Sequence, residues 1–223
     1  MKKVIITLTL LLAVCAVGVG LASCGEVATT TEVPTTTTEV VIAQEGPTSE
    51  GLAYNLNEDG SGYMVTGIGL CTDVYVVIPK THRGYPVTAI NDQAFYECHN
   101  LKRVTIPNSI TSIGKAAFYW CDSLESVTMG SGVTSIGEDA FSNCSRLTYI
   151  TLSNRLISIG KYAFSSCVSL TSITIPDSVT SVGYKAFSSC DNLIINCEVE
   201  SEPVGWNSYW NYYNIPVVWG YKG

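Results

Sequence analysis

Charge is scarce in this chain, and positive charge is scarcest. Only 14% of the 223 residues are charged, and 12 lysines and arginines stand against 19 acidic residues. Proteins that bind nucleic acid need a basic surface for the phosphates, so the acidic balance excludes that class of partner. With so few charges, the surface must consist largely of Ser, Thr, Asn and Tyr. Such a surface favours hydrogen-bonded contact with proteins or sugars over long-range electrostatic steering.

The residues of catalysis and metal binding are also sparse. His82 and His99 are the two histidines, and no cysteine has the CxxC or CxxH spacing of a metal site. Cys98 next to His99 has the composition of a nucleophile and its base, but adjacent residues on a turn do not face each other. The acidic residues show no fixed pairing and are interpreted as solvated surface. The sequence therefore predicts neither an enzyme nor a cofactor.

A motif recurs every 23 residues between 87 and 194. Each copy has an Ala-Phe pair, a cysteine three residues after the phenylalanine and a leucine three residues later. The phenylalanines are Phe95, Phe118, Phe141, Phe164 and Phe187, and the cysteines are Cys98, Cys121, Cys144, Cys167 and Cys190. A period of this length indicates one supersecondary unit per repeat, stacked on its neighbours to bury a shared apolar face.

Each copy has three recognisable parts. Leu170–Ile175 alternates apolar and polar residues, which predicts a half-buried strand that ends at Pro176. A second short strand follows and ends at Gly183, where we expect a left-handed turn because glycine tolerates positive φ. The spacing of Ala-Phe-x-x-Cys predicts a single helical or 3₁₀ turn.

The consensus L-x-x-I-x-I-P-x-x-V-T-S-I-G-x-x-A-F-x-x-C resembles the BspA-like class of leucine-rich repeats. The resemblance implies an α/β right-handed solenoid with a continuous parallel sheet and short helical or 3₁₀ turns. It also implies an extracellular or surface protein that serves adhesion and protein contact rather than catalysis. Met129-Gly130 and Leu152-Ser153 depart from the Ile-Pro of the consensus, so strand ends should shift there without a change of fold.

The flanks of the repeats are expected to cap the stack, since its end coils have open apolar faces. The predicted leucine-rich-repeat domain covers 51–223, with an N-terminal cap at 51–86, five repeats at 87–194 and an aromatic C-terminal cap at 195–223. Ile195–Val199 is interpreted as a last strand, one residue out of register.

The N-terminus has the pattern of a secretory signal, with Lys2-Lys3 before nineteen uncharged, mostly apolar residues. Leu21-Ala22-Ser23-Cys24 resembles the lipobox of bacterial lipoproteins, which implies a signal peptide at 1–23 and lipidation of Cys24. A retained transmembrane helix is the alternative interpretation of the apolar run. The threonine-rich segment 24–50 is predicted to be a disordered linker. The chain should then be extracytoplasmic and anchored to the bacterial membrane by its lipid.

The repeat cysteines present a choice between disulfides and free thiols. Extracytoplasmic cysteines favour disulfides. Equivalent cysteines in a stack, however, lie about 4.8 Å apart with parallel side chains, outside the range that a disulfide prefers. We expect a buried, reduced ladder, with Cys71 and Cys197 also free.

Exposed aromatic and basic residues are the candidates for a partner-binding surface, because such residues are enriched at interfaces. They are Tyr96, Lys102, Arg103, Tyr119, Trp120, Tyr149 and Tyr162. A ladder of threonines, Thr105, Thr128, Thr151 and Thr174, either binds a partner or fills a solvated strand face. Trp206, Tyr209 and Trp210 form either a sugar-stacking platform or the cover of the last coil.

These features predict a surface-anchored lipoprotein that binds an extracellular or host-surface protein. The alternatives are a carbohydrate-binding accessory lipoprotein that takes glycans, and a structural component of the envelope with no external ligand.

Overall fold

Each central coil of the folded chain contributes a strand of three or four residues, a strand of two residues and a turn segment. The computed structural model describes residues 48–223. The signal peptide expected at 1–23, the expected lipidation site Cys24 and nearly all of the predicted linker 24–50 lie outside these residues.

Fifteen strands make up the regular structure. They are β1 (Ala53–Leu56), β2 (Tyr63–Gly67), β3 (Tyr75–Val77), β4 (Thr81–His82), β5 (Tyr85–Ile90), β6 (Arg103–Ile106), β7 (Ser112–Ile113), β8 (Ser126–Met129), β9 (Ser135–Ile136), β10 (Tyr149–Thr151), β11 (Ser158–Ile159), β12 (Ser172–Ile175), β13 (Ser181–Val182), β14 (Ile194–Cys197) and β15 (Val217–Trp219).

The strands stack into a right-handed solenoid of about seven turns, as the repeat predicts. β2, β5 and the two-residue strands after them form one parallel sheet in the order β2-β5-β7-β9-β11-β13, which β1 extends in antiparallel fashion at its first edge. The long strands form two parallel sheets, β3-β6-β8-β10 and β12-β14-β15. The expected continuous sheet is therefore wrong in one respect, because the long-strand ladder stops between β10 and β12.

A column of phenylalanine rings runs through the core. The five repeat phenylalanines are buried and stack face to face, with successive centroids 4.9, 5.1, 5.4 and 5.5 Å apart. The cysteine column lies beside it, and each thiol after the first donates a hydrogen bond to a phenylalanine carbonyl of the preceding coil. Cys144 Sγ, for example, lies 3.1 Å from Phe118 O.

The predicted helical or 3₁₀ turns are not confirmed, since residues 48–223 contain no helix and so none that could span a membrane. Along Phe118–Cys121, bonds within the turn alternate with bonds to the next coil. Tyr119 N donates to Ala116 O, whereas Trp120 N donates to Ser142 O. A helix needs consecutive internal bonds, and here every second amide points along the stack.

The glycine that ends the short strand has a different role from the one predicted. Positive φ is absent at Gly137 and Gly160 and falls instead on residues such as Ala116 (51°) and Trp120 (57°). A Cβ at Gly160 would lie 2.5 Å from the carbonyl carbon and oxygen of Gly137 in the coil before it. Glycine is therefore required by the close approach of neighbouring backbones.

The flanks continue the stack. In the predicted N-terminal cap, Val65 pairs with Ile90 and Val76 pairs with Val104, so this segment is an irregular coil. At the other end Ile173 pairs with Ile195, a spacing of 22 that confirms the predicted one-residue shift.

The break between β10 and β12 opens only the long-strand side of the stack. On the other side β9, β11 and β13 remain paired, and the rings of Phe141 and Phe164 remain in contact. β10 ends at Thr151, one residue short of its equivalents, where Leu152-Ser153 replaces the Ile-Pro of the consensus. At Leu152-Ser153 the strand end thus shifts as predicted, and the ladder also ends there. The shift predicted at Met129-Gly130 is wrong, because β8 ends at Met129, paired in register with Ile106.

Candidate functional site

The first cluster of predicted surface residues lies on the turn segments of the first two repeats. The rings of Tyr96 and Tyr119 stack with centroids 5.3 Å apart, and Trp120 meets Tyr119 edge-on at 6.0 Å. The 23-residue spacing places Tyr96 over Tyr119 in adjacent coils. Trp120 is 48% exposed and Tyr96 41% exposed. We call these three residues the aromatic turn patch; it presents large, amphipathic rings held by one another.

The strand face holds a second, more dispersed group. Arg103 is exposed on β6, and its guanidinium lies 5.4 Å from the ring centroid of Tyr75 on β3. Lys102, just before β6, is half-buried, and Tyr149 on β10 is 58% exposed. The seven predicted residues therefore divide between turn segments and strands.

Tyr162 belongs to a third group, whose assembly around Lys185 the sequence interpretation did not predict. Its ring contacts Tyr184 at 5.6 Å, and Tyr184 contacts Tyr209 at 6.0 Å. Lys185 completes the group, with its Nζ 3.9 Å from the centroid of Tyr212. A side-chain hydrogen bond with Tyr184 raises the pKa of Lys185. The signal was available in the sequence, because Tyr184 and Lys185 occupy the slots of Lys161 and Tyr162.

The proposed sugar platform at the C-terminus requires a correction. Trp206 and Trp210 are only 5% and 3% exposed and meet edge-on at 4.8 Å. Trp206 Nε1 donates a hydrogen bond to Val179 O at 3.2 Å. The two indoles cover the last coil, since Trp210 packs on Phe187, and only Tyr209 of the three predicted residues is exposed.

A ladder of alternating charge corrects the interpretation of the acidic residues as unpaired surface. Asp92, Lys115, Glu138 and Lys161 share one slot of successive coils. Glu138 Oε1 lies 3.4 Å from Lys115 Nζ and 4.0 Å from Lys161 Nζ, and Asp92 accepts the backbone N–H of Lys115 at 2.7 Å. All four side chains contact water, so the ladder aligns coils and contributes little energy.

The thiols are placed for packing. Seven cysteines in the described residues are free, and burial raises the pKa of Cys144 and raises that of Cys197 to about 12. His99 does not serve Cys98, because its Nδ1 lies 3.2 Å from Asp122 Oδ1 on the next coil. Burial raises the pKa of Cys98 as well. Within residues 48–223 no group of three or more His, Cys, Asp or Glu side chains could hold a metal ion.

An open groove of about 400 Å³ lies along the break between β10 and β12. Hydroxyl and apolar side chains line it together: Thr148, Tyr149, Thr151, Leu152, Ser172, Thr174 and Pro176. Glu198 is the one ionisable acid among the lining residues. The groove joins the strand face at Tyr149, and it is the feature that no residue pattern predicted.

Comparison with known proteins agrees with this architecture. Residues 75–194 match the BspA type leucine rich repeat region in six copies. A leucine-rich repeat protein of T. pallidum is 33% identical over 68% of this chain and 71% of its own, with a TM-score of 0.65. A leucine-rich repeat protein from Bacteroides ovatus is 31% identical over 71% of this chain and 41% of its own, with a TM-score of 0.61.

A third solved structure carries a description of where its protein resides. It is a leucine-rich cell surface protein from Faecalibacterium prausnitzii, 31% identical over 70% of this chain and 46% of its own, with a TM-score of 0.52. No curated protein sequence matches the chain.

Proposed function

The chain belongs to the BspA-type leucine-rich-repeat family, and we propose that it is a surface-anchored binding module that holds an extracellular or host protein. The family match establishes a repeat protein of a kind that generally serves protein contact and adhesion. What we propose for this chain itself is which surface binds, which class of partner it takes and how the chain is anchored.

The aromatic turn patch carries the proposal. Tyr and Trp are enriched at the energetic centres of protein interfaces, where they bury much area and lose little conformational freedom. Trp120 is 48% exposed and is braced by Tyr119, which in turn stacks on Tyr96. A braced ring is already in its bound orientation, so little ordering cost remains when a partner covers it.

The proposed anchor rests on the N-terminal sequence. The apolar run that ends at Leu21-Ala22-Ser23-Cys24 supports a lipoprotein signal with lipidation at Cys24. Each CH₂ of an acyl chain contributes about 0.8 kcal/mol of membrane affinity, so two or three chains anchor a protein firmly. The similar cell surface protein from F. prausnitzii is consistent with an extracytoplasmic site. Membrane fractionation of wild type and Cys24→Ala tests the anchor.

Glycan binding is the second candidate, and the tyrosines near Lys185 favour it. Tyr209, Tyr212 and Tyr213 are each more than half exposed, and exposed rings are the surfaces on which sugars stack. The lysine ammonium beside them adds hydrogen-bond donors. Trp206 and Trp210 are buried and take no part in it.

A side-by-side binding assay tests the proposal. The full chain is passed over immobilised extracellular-matrix proteins and over a glycan array. Saturable binding to a protein supports the proposal, and binding to glycans alone that Tyr212→Ala abolishes favours the second candidate. Absence of binding to both surfaces, with high abundance in the cell-wall fraction, favours a structural role in the envelope.

A further inference from the structure

An open pocket of about 420 Å³ lies at the N-terminal end of the repeats, beside the aromatic turn patch. Its lining includes the apolar side chains of Ile68, Cys71 and Leu101 and the carboxylates of Asp73 and Glu97. Cys71 and Leu101 are buried, whereas both carboxylates are exposed. The pocket therefore has an apolar floor and an acidic edge.

The coil that precedes the first repeat carries a smaller residue in the phenylalanine slot, next to this pocket. Cys71 N bonds Ile68 O at 2.9 Å, as Cys98 N bonds Phe95 O at 3.2 Å, so Ile68 occupies the slot of Phe95. Phe95 stacks on Phe118 at 4.9 Å, and no ring within residues 48–223 stacks on its other face. Isoleucine has less volume than phenylalanine, so the ring column ends where the pocket opens.

The two carboxylates are available to a cation. Neither Asp73 nor Glu97 takes part in an ion pair within residues 48–223. The preceding segment 25–47 contains four glutamates and no lysine or arginine, so it supplies no cation for the pocket. A basic group that meets the acidic edge must then come from another molecule.

Glu97 connects the pocket to the aromatic turn patch. Glu97 and Trp120 are 23 residues apart and occupy one slot of successive coils, with φ values of 54° and 57°. Glu97 N donates a hydrogen bond to Tyr119 O at 2.8 Å. Burial raises the pKa of Tyr96, and the neighbouring Glu97 carboxylate raises it further. A protein that covers Trp120 therefore also reaches the acidic edge.

We propose that this pocket receives a lysine or arginine side chain of the protein that covers the aromatic turn patch. Such side chains lay their aliphatic stems on apolar surface and keep the charged head in a polar setting. Because the pocket is open, the stem lies along the floor at Ile68 and the head stays at the edge with Asp73 and Glu97. Complementary charge of this kind selects one partner over another and speeds association.

This inference rests on the proposed function, because it names the chemistry of the partner that the aromatic turn patch binds. The two can fail separately. A small basic probe tests the pocket without any partner protein, and loss of protein binding on removal of Trp120 tests the patch without the pocket.

The first test titrates N-acetyl-lysine amide and N-acetyl-arginine amide into the isotope-labelled full chain, followed by NMR. N-acetyl-norleucine amide is the neutral control, since it keeps an aliphatic stem and lacks the charge. We expect saturable shifts of the Glu97 and Asn100 amides below about 10 mM for at least one basic probe, and none for norleucine. No saturable shift with either basic probe, or an equal response to norleucine, would overturn the inference.

Removal of the carboxylates tests the acidic edge. Asp73→Asn with Glu97→Gln keeps the shape of both side chains and should abolish probe binding. It should also weaken binding of the extracellular protein about tenfold, with less effect at high salt. Glu58→Gln with Asp177→Asn is the matched control, because it removes two exposed carboxylates elsewhere. An equal loss in both chains would assign the effect to overall charge and reject the pocket.

Filling the pocket tests its floor while both carboxylates remain. Ile68→Phe installs the residue that the repeats carry in this slot and should abolish probe binding. Thr72→Trp, at an exposed lining residue, replaces it if that chain does not fold. Unchanged probe binding in a folded chain with a filled pocket would contradict the inference.

Protein binding separates the remaining outcomes. A partner that needs Trp120 but is insensitive to Asp73→Asn with Glu97→Gln would overturn this inference and leave the proposed function standing. Probe binding by a chain that binds no extracellular protein would reject the proposed function and, with it, the partner's side chain. Dimers in sedimentation that the Asp73→Asn, Glu97→Gln chain does not form would assign the pocket to a second copy of this chain and reject a different partner.

Discussion

Phe118 and Phe141 stack face to face, with their centroids 5.1 Å apart and their planes 3° from parallel. Because Phe141 is fully buried and has a second ring, Phe164, on its other side, Phe141→Ala empties a slot that neither neighbouring coil can fill. We expect a loss of about 3–5 kcal/mol in the free energy of unfolding. Urea denaturation followed by circular dichroism measures it.

Phe187→Ala is the matched control for that substitution. Phe187 stacks on Phe164, but its other neighbour is Trp210, which meets it edge-on at 6.2 Å. The C-terminal segment that carries Trp210 can shift into the cavity more easily than two packed coils can. The loss in the free energy of unfolding should therefore be smaller. Equal losses at both positions would show that the cap is as rigid as the repeats.

Gly160→Ala tests the close approach of neighbouring backbones. A methyl group there would lie 2.5 Å from backbone atoms of Gly137, which cannot move without shifting a coil. We expect a loss of about 1–3 kcal/mol, measured by denaturation. Gly84→Ala is the comparison, since Gly84 has positive φ but no atom within 4 Å of its added Cβ. A smaller loss at Gly160 than at Gly84 would contradict the assigned role.

Asp139→Asn should stabilise the chain at neutral pH. Burial raises the pKa of Asp139, and the charge of Glu138 adds to the effect, while Lys115 and Lys161 oppose it. A carboxyl whose folded-state pKa is raised destabilises the fold above that pKa and costs nothing once the pH falls below its ordinary value near 3.8. Asparagine also tolerates the φ of 55° at this position.

The gain is small because the side chain is largely solvent-screened. We expect a rise of a few degrees at most in the melting temperature at pH 7 and none at pH 3. Scanning calorimetry of both chains at the two pH values measures it. A gain that is larger at pH 3 than at pH 7 would mean that the carboxylate is stabilised by the fold.

Thiol labelling tests the cysteine ladder. Burial raises the pKa of Cys144, and its thiol is hydrogen-bonded to Phe118 O, so little thiolate forms near neutral pH. In a brief reaction at pH 8, mapped by mass spectrometry, Cys144 should stay unlabelled while half-buried Cys98 reacts first among the repeat cysteines. Labelling in urea should reach both. Fast native labelling of Cys144 would place that thiol outside the core.

The repeat fold could be predicted because one period places the core residues of the five repeats. A spacing of 23 sets the columns of Phe118 and Cys121, and parallel pairing then follows from stacking alone. The backbone conformation of the turn segments between these columns could not be predicted from the spacing. Ala116 and Trp120 adopt positive φ because alternate amides bond the next coil, a demand that arises only once the coils are stacked.

The surface was less predictable for a related reason. Exposure could be inferred for Trp120 and Tyr149, which the repeat places outside the core columns. The burial of Trp206 and the break after β10 depend on how irregular segments settle against the last coils, and no period describes them. The Leu152-Ser153 departure marks the position of the break in the sequence. That the ladder ends there depends on how the neighbouring coils pack, which the sequence pattern does not give.

The most direct test of the binding function removes the aromatic turn patch without disturbing the coil. Tyr119→Ser with Trp120→Asn installs the residues that occupy the same two slots in the next repeat, Ser142 and Asn143, and Asn143 has a comparable φ of 62°. The chain should fold with an unchanged melting temperature. The control is Ser142→Ala with Asn143→Ala.

The quantity to measure is the dissociation constant of the full chain for the extracellular protein that binds it best. We expect at least a tenfold loss of affinity in the Tyr119→Ser, Trp120→Asn chain, equivalent to about 1.4 kcal/mol, and no loss in the control. Wild-type affinity in the folded double variant would contradict the proposed function of the aromatic turn patch, because the patch would then take no part in binding.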